Sequence, residues 1–296
     1  MPYLLGPSIG FGLVTASILA LAAVGFTMQF GVTNILNLAY GEVMATSGFV
    51  ALIVNRAGLS IWFGMAAAAV FGAALSYLLN RVIFIPFARR GTKLFGMVIV
   101  TIAVGLILEN SILAITGPNF FSYIVPQEST YSVGFLILTT SQIVLMGLAT
   151  LAMIAVHSLL RLTRLGMAMR ATASDASLAR GCGIRTERIV DAGWLISGAM
   201  CGIAGVALFI NTTSFTSATA NSFLVVIVAA AILGGVGQPY GAMLGALVIG
   251  LTSEIAAAFL NPAYKNVVAF VILVVVLLLR PQGILAQIAV QREIAR

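Results

Sequence analysis

AGWLISGAMCGIAGVALFINTTSFTSATANSFLVVIVAAAILGGVGQPYGAMLGALVIGLTS, running from Ala192 to Ser253, contains no Asp, Glu, Lys or Arg. As one straight α-helix it would extend about 90 Å at about 1.5 Å per residue, three times the roughly 30 Å of hydrocarbon in a bilayer. The stretch must therefore fold back on itself. The natural break is Gly234-Gly235-Val236-Gly237-Gln238-Pro239-Tyr240-Gly241, where glycine permissiveness and the missing proline N–H interrupt a helix. Irregular backbone at membrane depth is tolerated only where protein or a water-lined cavity surrounds it, so Gly234, Gly235, Gly237 and Gly241 are expected to form a break inside a bundle.

The rest of the chain repeats this pattern. Of 296 residues, 61% are hydrophobic and 8% charged, and the mean hydropathy is +1.12. A soluble domain, which needs roughly 25% charged residues, is excluded. Apolar segments fall at about 9 to 30, 34 to 54, 60 to 80, 94 to 116, 136 to 160, 190 to 210, 222 to 233, 241 to 258 and 266 to 279. The predicted fold is all-α: one transmembrane domain over 1–296, with eight or nine membrane segments, some broken or re-entrant, the last three being short. The first segment lacks a basic n-region and a cleavage pattern, so it reads as a membrane helix and not as a signal peptide.

Bases set the orientation. Arg81, Arg89, Arg90 and Lys93 form one basic segment, and Arg161, Arg164, Arg170, Arg180, Arg185 and Arg188 another, with an unbased loop at about 117 to 134 between them. Both basic segments are expected in the cytoplasm. Arg280, Arg292 and Arg296 place the C-terminus there too, and nine crossings would leave the N-terminus outside.

Several classes of chemistry lack a motif. Cys182, Cys201 and the single histidine, His157, have no metal-ligand spacing, so neither a metal centre nor a disulfide framework is expected. GxxxxGK[ST], GxSxG and HExxH are absent as well. The chain is read as non-catalytic, binding no cofactor and no nucleic acid, with energy supplied by an ion gradient or another polypeptide.

Three features remain as candidates. The longest polar insertion, about 161–188, suggests a short helix capped by Ser174, beginning at Asp175, holding Leu178, Ala179 and Arg180, and closed by Gly181 or Gly183, with Thr186 capping the next membrane helix. It fits either an ordinary positive-inside loop or an element on which an outside motor pushes. In the second apolar segment Asn34, Asn37, Gly41, Met44 and Gly48 share a helical face suited to a translocation path or to close packing. Glu42 beside that face is costly in a membrane and so is a functional candidate, either at the path or hydrogen-bonded to a neighbouring helix; Glu109 and Glu254 raise the same question. The hydroxyl and amide run from Asn211 to Ser222 suits an outer mouth. Gly198 with Gly202, and Gly237 with Gly241 and Gly245, are small residues four apart that let helices approach closely.

Asn37-Leu38-Ala39-Tyr40-Gly41-Glu42 resembles the N-[FL]-A-[HY]-G-E signature of LivH-type permeases, subunits of branched-chain amino acid ABC importers. Arg170 to Asp175, through Ala179, Gly183 and Ile184, looks like that family's coupling loop, and Ala204-Gly205 like its AG pair. Leu233-Gly234-Gly235-Val236-Gly237 with Gly241-Ala242 resembles its LGG[IVM]G…GA segment, and Arg280-Pro281-Gln282-Gly283 its RPQG. The resemblance covers essentially the whole chain. It implies a prokaryotic inner-membrane permease that pairs with a second, LivM-like permease and two cytoplasmic ATPases, which use the ATP, and that receives solute from an extracytoplasmic binding protein. It further implies a substrate path at Asn34, Asn37, Tyr40, Gly41 and Glu42, and ATPase coupling through Arg170, Asp175, Leu178, Ala179, Gly183 and Ile184. Tyr40 and Leu38 replace the commoner His and Phe, so the solute need not be leucine. The competing reading is a stand-alone secondary transporter or channel driven by an ion gradient, with Glu42, Glu109 or Glu254 as its ion site.

Overall fold

A computed structural model describes residues 2–125, 129–133, 136–259, 264–279 and 283. Each of the nine apolar segments holds a helix, although the segment at 136 opens as a strand and its helix starts only at Thr140: α1 Pro2–Thr33, α2 Tyr40–Arg56, α3 Ile61–Leu79, α5 Leu94–Thr116, α6 Thr140–Leu162, α9 Thr186–Thr212, α10 Thr219–Gly234, α11 Pro239–Phe259 and α12 Lys265–Leu279. Three shorter helices, α4 Ile85–Arg89, α7 Arg164–Ser174 and α8 Ala176–Gly181, lie in the two basic segments. Among the described residues six helical spans are long and apolar enough to cross a bilayer, beginning at Gly6, Ile61, Leu94, Thr140, Thr186 and Pro239. At 17, 16 and 15 residues, α2, α10 and α12 fall short of the about 20 that a straight crossing needs. Six spans among the described residues thus meet the length and composition of a crossing, and the remaining three segments are shorter apolar helices.

Three expectations are corrected. The second segment starts at Tyr40, not at 34, because residues 34–37 are non-helical and Asn34 has φ 53°. The third does not stop at 80: a π-turn, Asn80–Phe84, carries it into α4, so Arg81 and Arg89 lie on helix and not in a loop. The fold is nearly, not wholly, all-α, because Thr130–Val133 (β1) pairs antiparallel with Leu136–Thr139 (β2) ahead of α6. Its β-branched residues, too few to span a membrane, satisfy their backbone across the ladder.

The contacts divide the chain into two units. One comprises residues 1–27, 126–151 and 225–296. Here α10 and α11 touch through glycine: a Cβ added at Gly234 would strike the Gly241 carbonyl, and one at Gly245 the Ala230 carbonyl. Between these helices Gly235 has φ 104° and Gly237 φ 87°, values costly for any residue with a Cβ. The predicted helix break therefore has the geometry that glycine permits. Thr15 of α1 donates to Glu254 of α11 at 2.6 Å, and Lys265 at the start of α12 pairs with the same carboxylate. Of the RPQG stretch only Gly283 is described; Arg280 to Gln282, Arg292 and Arg296 lie outside the described residues.

The other unit, residues 28–125 and 152–224, is organised on α9. Gly198 meets Gly72 and Ser76 of α3, Gly202 meets Ala68, and Gly205 lies against the Met44 carbonyl of α2. No lateral methyl group fits between these backbones, which is how apolar helices gain dispersion contact where lipid is as apolar as leucine. At one end of the unit Phe49, Phe121, Tyr123, Phe209 and Phe215 cluster, with Phe209 and Phe215 stacked at 4.0 Å. Backbone pairing of Phe121 with Phe215 closes the Asn211–Ser222 run onto the unbased loop.

Candidate functional site

The turn entering α2 is built from side-chain amides. Asn37 Oδ1 accepts from the Ala39 N–H at 3.1 Å and its carbonyl from the Tyr40 N–H at 3.3 Å, an Asx-type turn that starts the helix. Asn34 is exposed before that turn. Asn34 and Asn37 therefore do not share the α2 face with Gly41, Met44 and Gly48, contrary to the periodicity reading. That face is a packing seam: Gly41 lies against Leu224 and Ala220, Met44 under Gly205, and Gly48 under the Phe209 ring. Tyr40 is fully buried and docks on α9, its hydroxyl donating to the Ser197 carbonyl at 3.4 Å while the Cys201 thiol donates to its own carbonyl at 3.3 Å.

Glu42 faces α5. A Cβ at Gly105 would come within 3.6 Å of its Cγ, and Glu109, one turn further along α5, is its electrostatic neighbour. Glu42 and Asn37 are each only 2% exposed. Among the described residues nothing hydrogen-bonds to either Glu42 carboxylate oxygen or to Asn37 Nδ2. The expected hydrogen bond from Glu42 to a neighbouring helix is thus not formed. The turn carries unmatched acceptors and an unmatched donor within one stretch of chain, an arrangement that costs free energy unless something polar meets it.

The basic segment 161–188 holds two helices where the sequence suggested one. Thr163 caps α7, accepting from the Gly166 N–H at 3.1 Å, and Arg170 donates to the Leu160 carbonyl at 2.7 Å, tying α7 to the end of α6. Arg170 is therefore engaged within the chain. Ser174 does not cap α8: it ends α7, its hydroxyl donating to the Ala171 carbonyl at 3.0 Å. Asp175 is the cap, accepting from the Ser177 and Leu178 N–H groups at 2.8 and 3.0 Å. Hydrogen bonds from the Ser177 hydroxyl and those two N–H groups hold its carboxyl below the usual aspartate range. Within α8 Ala179 is buried while Leu178 is 66% exposed, an apolar side chain presented outward from a capped turn. The Gly183 N–H donates to the Arg180 carbonyl and the Ile184 N–H to the Ala179 carbonyl, both at 3.0 Å, closing the link to α9. Arg185 precedes α9 without a side-chain cap, so Thr186 does not cap it, and Glu187 lies in its first turn.

Sequence reasoning missed one cluster. Asp191 of α9 accepts from Arg81 Nη2 at 2.8 Å and from Asn80 Nδ2 at 3.3 Å, and Arg89 pairs with Glu187 at 2.9 Å. The available signal was an acidic residue at the margin of an apolar segment, opposite a basic one. Among the described residues no three His, Cys, Asp or Glu gather as a metal site would require.

Residues 8–277 match the family model described as "Branched-chain amino acid transport system / permease component". The chain is 31% identical over 303 residues to the high-affinity branched-chain amino acid transport system permease protein LivH of Escherichia coli (strain K12), covering 95% of each. It is 26% identical to the LivM permease protein of that system, covering 88% of this chain and 66% of LivM. Among solved structures, "PsaBC from Streptococcus pneumoniae in complex with Fab" aligns with a TM-score of 0.51 and 14% identity over 90% of each chain, a likeness of fold.

Proposed function

The chain belongs to the family of branched-chain amino acid transport system permease components, and from that premise we propose that it forms half of the pore of an ATP-driven importer in a prokaryotic cytoplasmic membrane. It passes branched-chain or related amino acids handed over by an extracytoplasmic binding protein, and a LivM-like permease supplies the other half. The observation that carries this reading is the family match across nearly the whole chain. Two cytoplasmic ATPases, binding the ATP that this chain does not, engage α8 through Leu178 and the Asp175 cap. The exposure of Leu178 supports that contact. Residues 1–296 act as one permease domain with the C-terminus in the cytoplasm, and the short helices α2, α10 and α12 complete the passages as partial or re-entrant segments.

The solute path runs by the turn at Asn37 and Glu42. An amino acid zwitterion carries an ammonium that suits a carboxylate and a carboxylate that suits an amide N–H, and these are the groups left unmatched there. Tyr40 and Gly41 shape the path from behind by fixing α2 on α9 and α10. Purification of the tagged chain from its own membranes tests the assembly: an ATPase and a second permease are expected to accompany it, and the reconstituted complex is expected to take up leucine only with ATP and the binding protein. Uptake by the chain alone, driven by a proton or sodium gradient, would instead establish the stand-alone carrier.

A further inference from the structure

We infer that Asp191 is a positioning residue of the transport cycle, the joint through which movement of α8 reaches α3; this rests on the reading of α8 as the ATPase contact. The route is continuous. From α8 the chain enters α9 through the hydrogen-bonded link at Gly183 and Ile184, and α7 braces the same end, because Met169 lies against Gly193 at 3.3 Å from where a Cβ would be. The α8 turn and the first turns of α9 are thus tied together. Asp191, buried at 8% exposure, is where this body grips its neighbour, accepting from two consecutive residues of the α3 π-turn.

The π-turn is what makes that grip possible. Gly72, Ser76, Asn80 and Phe84 all face α9, through Gly198, Asp191 and Trp194. Residues four apart drift by about 40° per step on a regular α-helix, so a seam with that spacing would rotate away from its partner over three steps. The wider i→i+5 turn at Asn80–Phe84 takes up the drift and returns Phe84 to the Trp194 ring, stacked at 5.1 Å. A π-turn disrupts the regular ladder, and here two side chains from it converge on one carboxylate. Above the joint α3 and α9 meet backbone to backbone at Gly198 and Gly202, where no side chain can yield, so a displacement at Asp191 is carried along α3 and not absorbed.

The whole importer in proteoliposomes tests this with Asp191→Asn, Arg81→Gln and the two combined, reading co-purified ATPase, ATP hydrolysis and leucine moved per ATP. Asp191→Asn keeps the side chain's shape and an acceptor for Asn80 while removing the ion pair. The ATPase is expected to remain bound and active within about twofold, while leucine moved per ATP falls roughly tenfold, in the usual range for coupled sites. The combined variant is expected to fall no further than either single one, and Arg81→Lys to recover most of the loss. Unchanged leucine per ATP in Asp191→Asn, additive losses in the combined variant, or failure of the complex to assemble would each overturn the assignment. Leu178→Asp separates the underlying reading: an ATPase that stays bound to that variant rejects α8 as the contact, whatever the Asp191 variants show.

Discussion

The seam of α9 on α3 and the pair α7–α8 lie next to one another in sequence yet are built on opposite principles. At the seam, glycines remove side chains so that backbones touch, and the contact tolerates no added atom. In α7–α8 Gly166 is buried against the Leu159 and Leu160 backbone and Ala179 is buried too, but most side chains are exposed, and caps supply much of the order: Thr163 on α7, Asp175 on α8, and Arg170 on the Leu160 carbonyl of α6. Packing holds the first throughout, whereas in the second hydrogen bonds to helix ends supplement a few buried contacts at Gly166, Met169 and Ala179. Substitution should therefore be lethal to folding at one and to communication at the other, if α8 is the ATPase contact proposed above.

The largest effect is expected at the seam. Gly202→Val drives a branched side chain into the Ala68 carbonyl and should cost about 3 kcal/mol or more, at the upper end for overpacking. The folded permease should vanish from membranes; normal accumulation would mean that α3 and α9 slide apart freely, and the contrast would collapse. Gly235→Val comes next, at roughly 2 kcal/mol for forcing a β-branched residue to φ 104°. Here assembly with the proposed LivM-like permease, read by size-exclusion chromatography, should fail or fall several-fold, and unaltered assembly would make the break peripheral.

At the caps the balance reverses. Asp175→Ala should loosen α8 alone, by removing its N-terminal cap, leaving membrane levels of the chain near normal. Combined with Leu178→Asp it should abolish ATP-coupled uptake, and normal uptake by that double variant would reject the coupling role. The smallest effect is on acidity. Because the Asp175 carboxyl is held below its usual value, the capped form gains stability that is fully present above the unfolded aspartate value and is lost as pH falls through the lower, folded one. A carboxyl carbon NMR titration of labelled Asp175 should therefore give a midpoint below that of an unstructured aspartate, and a midpoint at or above it would contradict the hydrogen bonds assigned to the cap. Water-soluble thiol reagents sharpen the other boundary: a cysteine at 34 should label, whereas cysteines at 41, 43 and 44, all buried on α2, should not.

The parts legible in the sequence were those written in long apolar runs. Nine such runs became nine helices because hydrocarbon leaves the backbone no partner but itself, and the Gly234–Gly241 break was legible because positive φ and backbone contact both require glycine. What escaped depended on neighbours. The start of α2 was misplaced because Asn34 and Asn37 fall by chance at helical spacing, while their amides favour a turn. Ser174 and Asp175 are both good caps, and only the end of α7 decides between them. The π-turn has no sequence signature of its own; it exists because α3 must keep facing α9. Six spans meet a length criterion where eight or nine segments were counted, since apolar pattern alone does not distinguish a full passage from a partial one.

The trio of Thr15, Glu254 and Lys265 bears on how the chain is made. An unpaired charge within an inserting segment costs free energy, and less near the helix ends where Glu254 and Lys265 lie than at the centre. Glu254 and Lys265 are close in sequence, on α11 and α12, and their ion pair lets each discharge the other before either is surrounded by lipid. The two helices are therefore best released as a single hairpin during synthesis. The Thr15 hydroxyl, 239 residues earlier in the chain, can meet Glu254 only once α11 has been made. Neutralisation of Glu254 thus draws on one residue made just after it and another made long before it, on two different helices.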